Sequence, residues 1–396
     1  PAFSLFLHDG ERWGMMVVRL KKFGGIRVIY KQFRGIGLSR LGLGNMRLPT
    51  QEDKAGAPID YPRAKAIVDY AIAHGINYFD TAYNYHSGTS EVFLGQALQD
   101  YDRGSYHLAT KFNYHANPDY RAQFEEQLTR LKTDYVDFYL LHAVGDGNVE
   151  NYLGCGCIDY FREQKAKGRI RSFGFSSHAS PEVLSRMLGE NDWDFVQIQL
   201  NYYDWLYGTA KEEYSRITAK GLPVMVMESV RGGRLAKLSP ESAAMLKAEH
   251  PDWSIPSWAF RWLKRLEGVQ VALSGMSNLE QIQDNVATYA DERALTDEEE
   301  ALLFKACAAY RSEVTVPCTA CRYCCDGCPA GIDIPAVLEI YNRFKIDGAW
   351  ALKSMETLES AGKPADCVGC GACKSECPQG IDIPQVMAEL ASQPSK

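Results

Sequence analysis

The chain has 396 residues, 46% hydrophobic and 23% charged, with a formal net charge of -7 at pH 7. That is ordinary globular composition with ample core-forming material, and the acidic balance excludes nucleic acid or an anionic membrane surface as an expected partner. No apolar run approaches the ~20 residues that span a bilayer, so no membrane is expected either.

Residues 1–28, "PAFSLFLHDGERWGMMVVRLKKFGGIRV", begin without methionine and carry no strong periodicity. They are expected to be a leader, a tag or a mis-called start, and to be disordered. From about Arg40 to Tyr289 short apolar runs alternate with amphipathic stretches. The expected strands are "RLGLGNM", "INYFDTA", "YHLATKF", "YVDFYLLH", "IRSFGFS", "FVQIQLN", "LPVMVMES" and "VQVALSG". Helical patterns follow them at 62–74, 90–99, 119–131, 158–167, 181–189, 209–219, 256–265 and 279–289. Eight strand–helix pairs at this spacing predict an α/β fold, a (β/α)8 TIM barrel. A doubly wound sheet fits less well: it needs fewer strands, and no G-x-G-x-x-G follows a strand.

In such a barrel the chemistry sits at the C-terminal strand ends. Asp80, Lys111 and His142 stand at the ends of the second, third and fourth strands, and Tyr85 lies in the loop after the second. Neighbouring units can bring all four into one pocket. A tyrosine alone has a pKa near ~10; a lysine ammonium beside it lowers that value, and a carboxylate holds the lysine. A histidine can orient a carbonyl oxygen. The set has the logic of a general acid that protonates an oxyanion.

The C-terminal part holds nine of the twelve cysteines in two groups. "CTACRYCCDGCPAGIDIP" (318–335) is echoed by "CVGCGACKSECPQGIDIP" (367–384), so Cys318, Cys321, Cys324 and Cys328 recur 49 residues later as Cys367, Cys370, Cys373 and Cys377. In that register Cys325 falls opposite Lys374 and is not expected to be a ligand. The doubled C-x2-C-x2-C-x3-C-P spacing is that of two-cluster ferredoxins, in which the fourth cysteine reaches the other cluster. It predicts one [4Fe–4S] cluster on Cys318, Cys321, Cys324 and Cys377 and a second on Cys328, Cys367, Cys370 and Cys373. Structural zinc would instead pair two C-x2-C knuckles. "IPAVLEIYNRF" and "AWALKSMETLES", between the groups, are expected to be helices, which resembles the helical ferredoxin modules of respiratory iron–sulfur subunits. Cys155, Cys157 and Cys307 are expected to be ordinary thiols. Clustered cysteines without a secretory signal argue against a disulfide framework and for a reducing cytoplasm.

The front part resembles the aldo-keto reductases over about residues 29–290. "FDTAYNYHSGTSEVFLGQAL", "LATKF", "DFYLLH", "IRSFGFSSH", "FVQIQLNYYD" and "SGMSNLEQIQDNV" carry the likeness in order, and the tail narrows it to the subgroup with a C-terminal ferredoxin-type domain. The resemblance implies a small hairpin on the barrel floor, a barrel over 29–310 and a two-cluster domain over 311–396. It implies Tyr85 as general acid/base, Lys111 and Asp80 as its tuning partners, and His142 as the carbonyl-orienting residue. It implies NADP or NAD as cofactor, with Gly44 and Met46 touching it, Ser176, Ser177 and Gln197 on the carboxamide, and Ser229, Val230 and Arg231 along the pyrophosphate. Gly275, Met276, Gln281, Asp284 and Asn285 fall on the adenosine-phosphate segment. Glu228 stands where an aromatic residue commonly stacks on the nicotinamide, and Gly275 and Gln281 stand where NADPH-preferring members often carry basic residues. Arg231 or Arg234 is expected to compensate.

Hydride chemistry moves two electrons and iron–sulfur clusters move one, and no flavin motif bridges them. Three functions follow. The chain interconverts a small carbonyl and alcohol while its clusters exchange electrons with a ferredoxin or flavoprotein or sense redox state; or it is an electron-transfer subunit; or it is a non-catalytic nucleotide-binding redox sensor.

Overall fold

Parallel strands pair stably only where both faces are covered, and the eight apolar runs meet that condition. A computed structural model describes residues 25–53, 57–318, 320–325 and 327–393. Of the expected leader, residues 1–24 lie outside these, while Val28 is buried and its N–H donates to His74 O. The first two strands, β1 (Tyr30–Phe33) and β2 (Ile36–Ser39), form an antiparallel hairpin. Arg34 and Gly35 both take positive φ, 47° and 87°, which suits a two-residue turn that follows the strand twist.

The barrel strands are β3 (Leu41–Gly44), β4 (Tyr78–Asp80), β5 (His107–Phe112), β6 (Val136–Val144), β7 (Ile170–Ser177), β8 (Phe195–Gln199), β9 (Val224–Met227) and β10 (Val269–Ser274). They close in sequence order, β10 pairing with β3, and every pair is parallel. The expected TIM barrel is therefore the observed fold. Inward-facing Tyr78, Phe138, Phe195 and Val271 fill its interior, and Phe33 and Leu38 of the hairpin plug the floor. The Phe33 and Phe138 rings lie 5.3 Å apart. A larger apolar layer joins the outer strand faces to the helices.

Up to the end of the barrel part, four of the described helices extend beyond the expected pattern. The segment 143–157 holds a helix, Val149–Gly154, and Tyr202–Tyr207 and Pro240–Glu249 add two more. The fourth, Asp297–Val314, starts in a capping box between Thr296 and Glu299, with four acidic residues in its first turn. It leads from the barrel into the cysteine segments. The C-terminal module packs two helices, Ile334–Asp347 and Ile383–Ala391, around Ile332, Val337, Leu338, Ile381 and Met387. Their N-caps, Asp333 and Asp382, occupy equivalent places in the two repeats. Of residues 349–360, expected as a second helix, 349–355 form a 3-10 segment instead, after Gly348 ends the preceding helix at φ 101°. Among the described residues no helix is long and apolar enough to cross a membrane.

The repeat extends to the backbone. Positive φ recurs at an offset of 49: Ala320 (56°) with Gly369 (67°), Arg322 (68°) with Gly371 (78°), and Gly331 (61°) with Gly380 (64°).

One glycine holds the barrel wall beside the site. A Cβ on Gly174 in β7 would lie 2.4 Å from Phe195 O and 3.0 Å from the Phe195 ring. Gly174→Ala is expected to cost roughly 1–3 kcal/mol, because backbone rather than a side-chain tip must move. The measurement is the urea midpoint of the barrel's fluorescence transition, which should fall; an unchanged midpoint would show that the wall yields.

Candidate active site and cofactor sites

Asp80 ends β4 and Lys111 lies in β5, one strand over; both are almost fully buried. The Lys111 ammonium has three protons to place. It donates to Asp80 Oδ1 at 2.7 Å, to Thr81 O at 2.7 Å and to Tyr85 Oη at 3.4 Å. Since Tyr85 Oη accepts from the lysine, its own proton is free for another acceptor. Behind the pair, Gln127 donates to Lys111 O at 3.0 Å and to Glu91 at 2.7 Å, and Thr110 donates to Glu91 at 2.6 Å. This buried network fixes β5 against the helix Thr89–Ala97.

A lysine beside a tyrosine is expected to bring the phenol below its ordinary value. The balance is different. Burial pushes the Tyr85 phenol up and the Lys111 ammonium draws it only part of the way back, so it remains above the usual range. Burial opposes the ammonium of Lys111 too, but Asp80 and Tyr85 outweigh it and keep the lysine charged. Tyr85 is thus held as a neutral donor.

His142, in β6, meets the Tyr85 ring edge to face, with centroids 5.7 Å apart. Burial, with Lys111 and His178 adding to it, holds its imidazole well below the usual histidine range, hence neutral. Asn113, just after β5, sets which nitrogen carries the proton. Its Oδ1 accepts from the N–H groups of His115 and Ala116, both at 3.1 Å, which turns its Nδ2 toward His142 Nδ1 at 3.4 Å. Nδ1 accepts, so Nε2 bears the hydrogen. Sequence reasoning missed Asn113, although it lies two residues past Lys111.

A cleft of about 310 Å³ is lined by none of Asp80, Tyr85, Lys111 and His142, and Glu228 in its wall, whose charge acts on Tyr85 and raises the phenol further, links it to them. Ser229, Val230, Gly275, Met276, Gln281, Asp284 and Asn285 line it too. Gly44 lies against the backbone of Ser274 and Gly275, while Met46 is largely exposed. Ser176 and Ser177 are buried at the end of β7, and Gln197 is buried in the middle of β8. Ser176 Oγ accepts from Ala143 N at 2.7 Å and Ser177 Oγ from Ala179 N at 3.2 Å. Gln197 Oε1 is buried without a hydrogen-bond partner, an acceptor that the amide of a nicotinamide would satisfy.

Two arginines differ from the expected arrangement. Arg231 and Arg234 do not line the cleft. Arg231 pairs through Nε with Asp204 at 3.0 Å and through Nη1 with Asp347, and Arg234 donates to Lys345 O at 2.8 Å. The guanidinium that does line the cleft is Arg47, which the sequence reading passed over. It packs across Gly275, where a Cβ would meet its side chain at 3.1 Å, and its Nη2 lies 3.9 Å from Glu228.

The cysteines gather into two cups. One is lined by Cys318, Cys321, Cys324 and Cys377, the other by Cys328, Cys367, Cys370 and Cys373. Each cup draws three cysteines from one repeat and one from the other. Apolar walls from Leu338, Ile381, Ile383 and Met387 surround the sulfurs, and thiolate donors in such a pocket suit an iron–sulfur cluster. Cys325 lines neither cup. Among the described residues no three histidine, cysteine or carboxylate side chains converge on a single-ion site. Cys377→Ser is expected to remove about half of the bound iron and sulfide, while Cys325→Ser leaves both counts unchanged. Anaerobic iron and sulfide analysis decides it, and equal losses in the two variants would refute the partition.

Comparison with known proteins matches both parts of the chain. The model of the "Aldo/keto reductase family" matches residues 40–306, and that of the "4Fe-4S dicluster domain" matches residues 317–381. An uncharacterized oxidoreductase, YqkF, of Bacillus subtilis (strain 168) is 31% identical over 294 residues, covering 67% of this chain and 91% of its own. L-galactose dehydrogenase of Arabidopsis thaliana is 25% identical over 291 residues, covering 68% and 89%. Among solved structures, the holo form of aldo-keto reductase AKR11C1 from Bacillus halodurans superposes with a TM-score of 0.59 at 27% identity, covering 71% of this chain and 96% of that one. The chain belongs to the aldo/keto reductase family, as an oxidoreductase whose barrel is followed by a 4Fe-4S dicluster domain.

Proposed function

We propose that this chain interconverts a small carbonyl compound and its alcohol, using a nicotinamide nucleotide bound in the cleft. The observation that carries this reading is the Tyr85 hydroxyl: it accepts from Lys111, which leaves its own proton free, and its ring meets that of His142. A bound NAD(P)H supplies the hydride. Tyr85 gives its proton to the substrate oxygen as charge develops there. Lys111, neutralised by Asp80, stabilises the phenolate left behind. Neutral His142, with its hydrogen on Nε2, orients the oxygen without repelling Lys111. Ser176, Ser177 and Gln197 would hold the carboxamide, and Gly44, Met46, Ser229, Val230, Gly275, Met276, Gln281, Asp284 and Asn285 the remainder of the nucleotide.

We further read the chain as a barrel over 29–310 joined to a domain over 311–396 that holds two [4Fe–4S] clusters on the two cysteine cups. The clusters supply one-electron transfer, with a ferredoxin or flavoprotein as the class of partner. The intact proton-donating group favours catalysis over a purely electron-carrying role.

Tyr85→Phe is expected to lower kcat for NADPH-dependent reduction of an aldehyde panel roughly 10²–10⁴-fold with nucleotide binding kept. Retention of full activity would rule out the proton donor. The sign of the pH dependence follows from the raised phenol: reduction needs the protonated form, so its rate holds through neutral pH and falls only above the ordinary tyrosine range. Alcohol oxidation needs the phenolate and rises over that same range. Lys111→Met removes the cation that draws the phenol down and moves both limbs to higher pH.

Arg47 is the cleft's basic group, and it favours a 2′-phosphate in the absence of basic residues at Gly275 and Gln281. Arg47→Ala is expected to raise Kd for NADPH by roughly ten- to hundredfold and that for NADH much less. Equal changes for the two nucleotides would exclude Arg47 as the discriminating contact.

A further inference from the structure

The segment 228–233 carries positive φ at four of six residues: Glu228 (57°), Arg231 (48°), Gly232 (63°) and Gly233 (93°). Two of these are not glycine, and such a run persists only where surrounding contacts over-determine it. The contacts come from two sides. Glu228, Ser229, Val230, Gly232 and Gly233 face the cleft, whereas Arg231 and Arg234 turn the opposite way. What they reach is the last turn of the helix Ile334–Asp347, Asp347 by ion pair and Lys345 by its carbonyl. A guanidinium at a helix C-terminus also meets the negative end of the helix dipole. The fit is close: a Cβ on Gly348 would lie 2.4 Å from Arg234 Nη2. Ile346, between the two contacts, is buried in the barrel's own apolar layer rather than in that of the C-terminal module.

The other end of this helix stands at the cysteines. Ile334 lines one cup, and Pro335 and Leu338 line the other. Its 14 residues make a rigid rod of roughly 20 Å from cysteine cups to cleft loop.

We propose that Arg231 and Arg234 are positioning residues, through which the helix Ile334–Asp347 holds the cleft loop in its nucleotide-binding shape and so couples the iron–sulfur domain to the nucleotide. The proposal rests on reading the cleft as the nucleotide site. Coupling of this kind is reciprocal: a domain that tightens the nucleotide is itself tightened by it. One arm of the test is Asp347→Ala in the anaerobically purified full chain, with NADPH titrated by the protein's intrinsic fluorescence. Kd is expected to rise roughly five- to tenfold, with iron and sulfide content and the EPR signal unchanged. A Kd within twofold of the parent, with the clusters intact, would overturn the proposal. The other arm needs no variant. Hydrogen exchange of the parent holoprotein with and without NADPH should show added protection at 228–237 and also at 343–348. Protection confined to 228–237 would overturn it, including in the event that Asp347→Ala does not fold. If the parent binds neither NADPH nor NADH, the nucleotide reading itself has failed, and that result is distinct from normal binding that ignores Asp347.

Discussion

The site depends on one buried ion pair. Asp80 and Lys111 are withdrawn from water, where each charge alone would be prohibitively costly. Together they are tolerated because every ammonium proton has a partner: the Asp80 carboxylate, the Thr81 carbonyl and the Tyr85 hydroxyl. The third of these contacts turns a structural pair into a chemical one. It places a cation against a phenol that burial would otherwise make a very weak acid, and it leaves the phenolic hydrogen pointing away from the lysine. The barrel makes this possible. Adjacent parallel strands bring residues 31 positions apart in the chain into hydrogen-bond contact, and the network of Glu91, Thr110 and Gln127 holds them there.

The neutral state of His142 belongs to the same balance. A charged imidazole beside Lys111 would put two cations in one desolvated pocket. Burial and the lysine together keep the ring neutral, and the amide of Asn113 directs its hydrogen. Three neighbouring strand ends thus give one fixed cation and two neutral donors, which is what an oxygen gaining negative charge requires.

Much of this was legible in the chain. The eight strands announced themselves because parallel strands buried on both faces read as continuous apolar runs, and Asp80, Lys111 and His142 stood at their ends. The cysteine register was legible because cluster ligation demands fixed local spacing. What escaped were features decided by tertiary approach. Arg231 and Arg234 sit on a segment that suggests phosphate, yet nothing local shows that Asp347 and Lys345 O, more than a hundred residues later, claim them. Arg47 lies on a short turn with no periodicity to mark it. Asn113 is one polar residue among several after β5, and its role follows only from the two backbone N–H groups that orient it. The helix Asp297–Val314 did carry a local signal, the Thr296–Glu299 capping box, which the strand–helix count passed over.

The two cysteine cups have a consequence for the order in which the protein can be made. Each takes its odd sulfur from the opposite repeat, so the halves are cross-stitched rather than stacked. A nascent chain that has released Cys318 to Cys328 owns three sulfurs of one cup and a single sulfur of the other. The second cup gains its full set only with Cys373, and the first only with Cys377. The strands among the described residues all precede Cys318, so the barrel can stand as a finished platform while the segment that completes the cups is still being threaded. Assembly of the tail is accordingly a single late event, and a chain cut between the repeats would carry two unfinished cups rather than one good one.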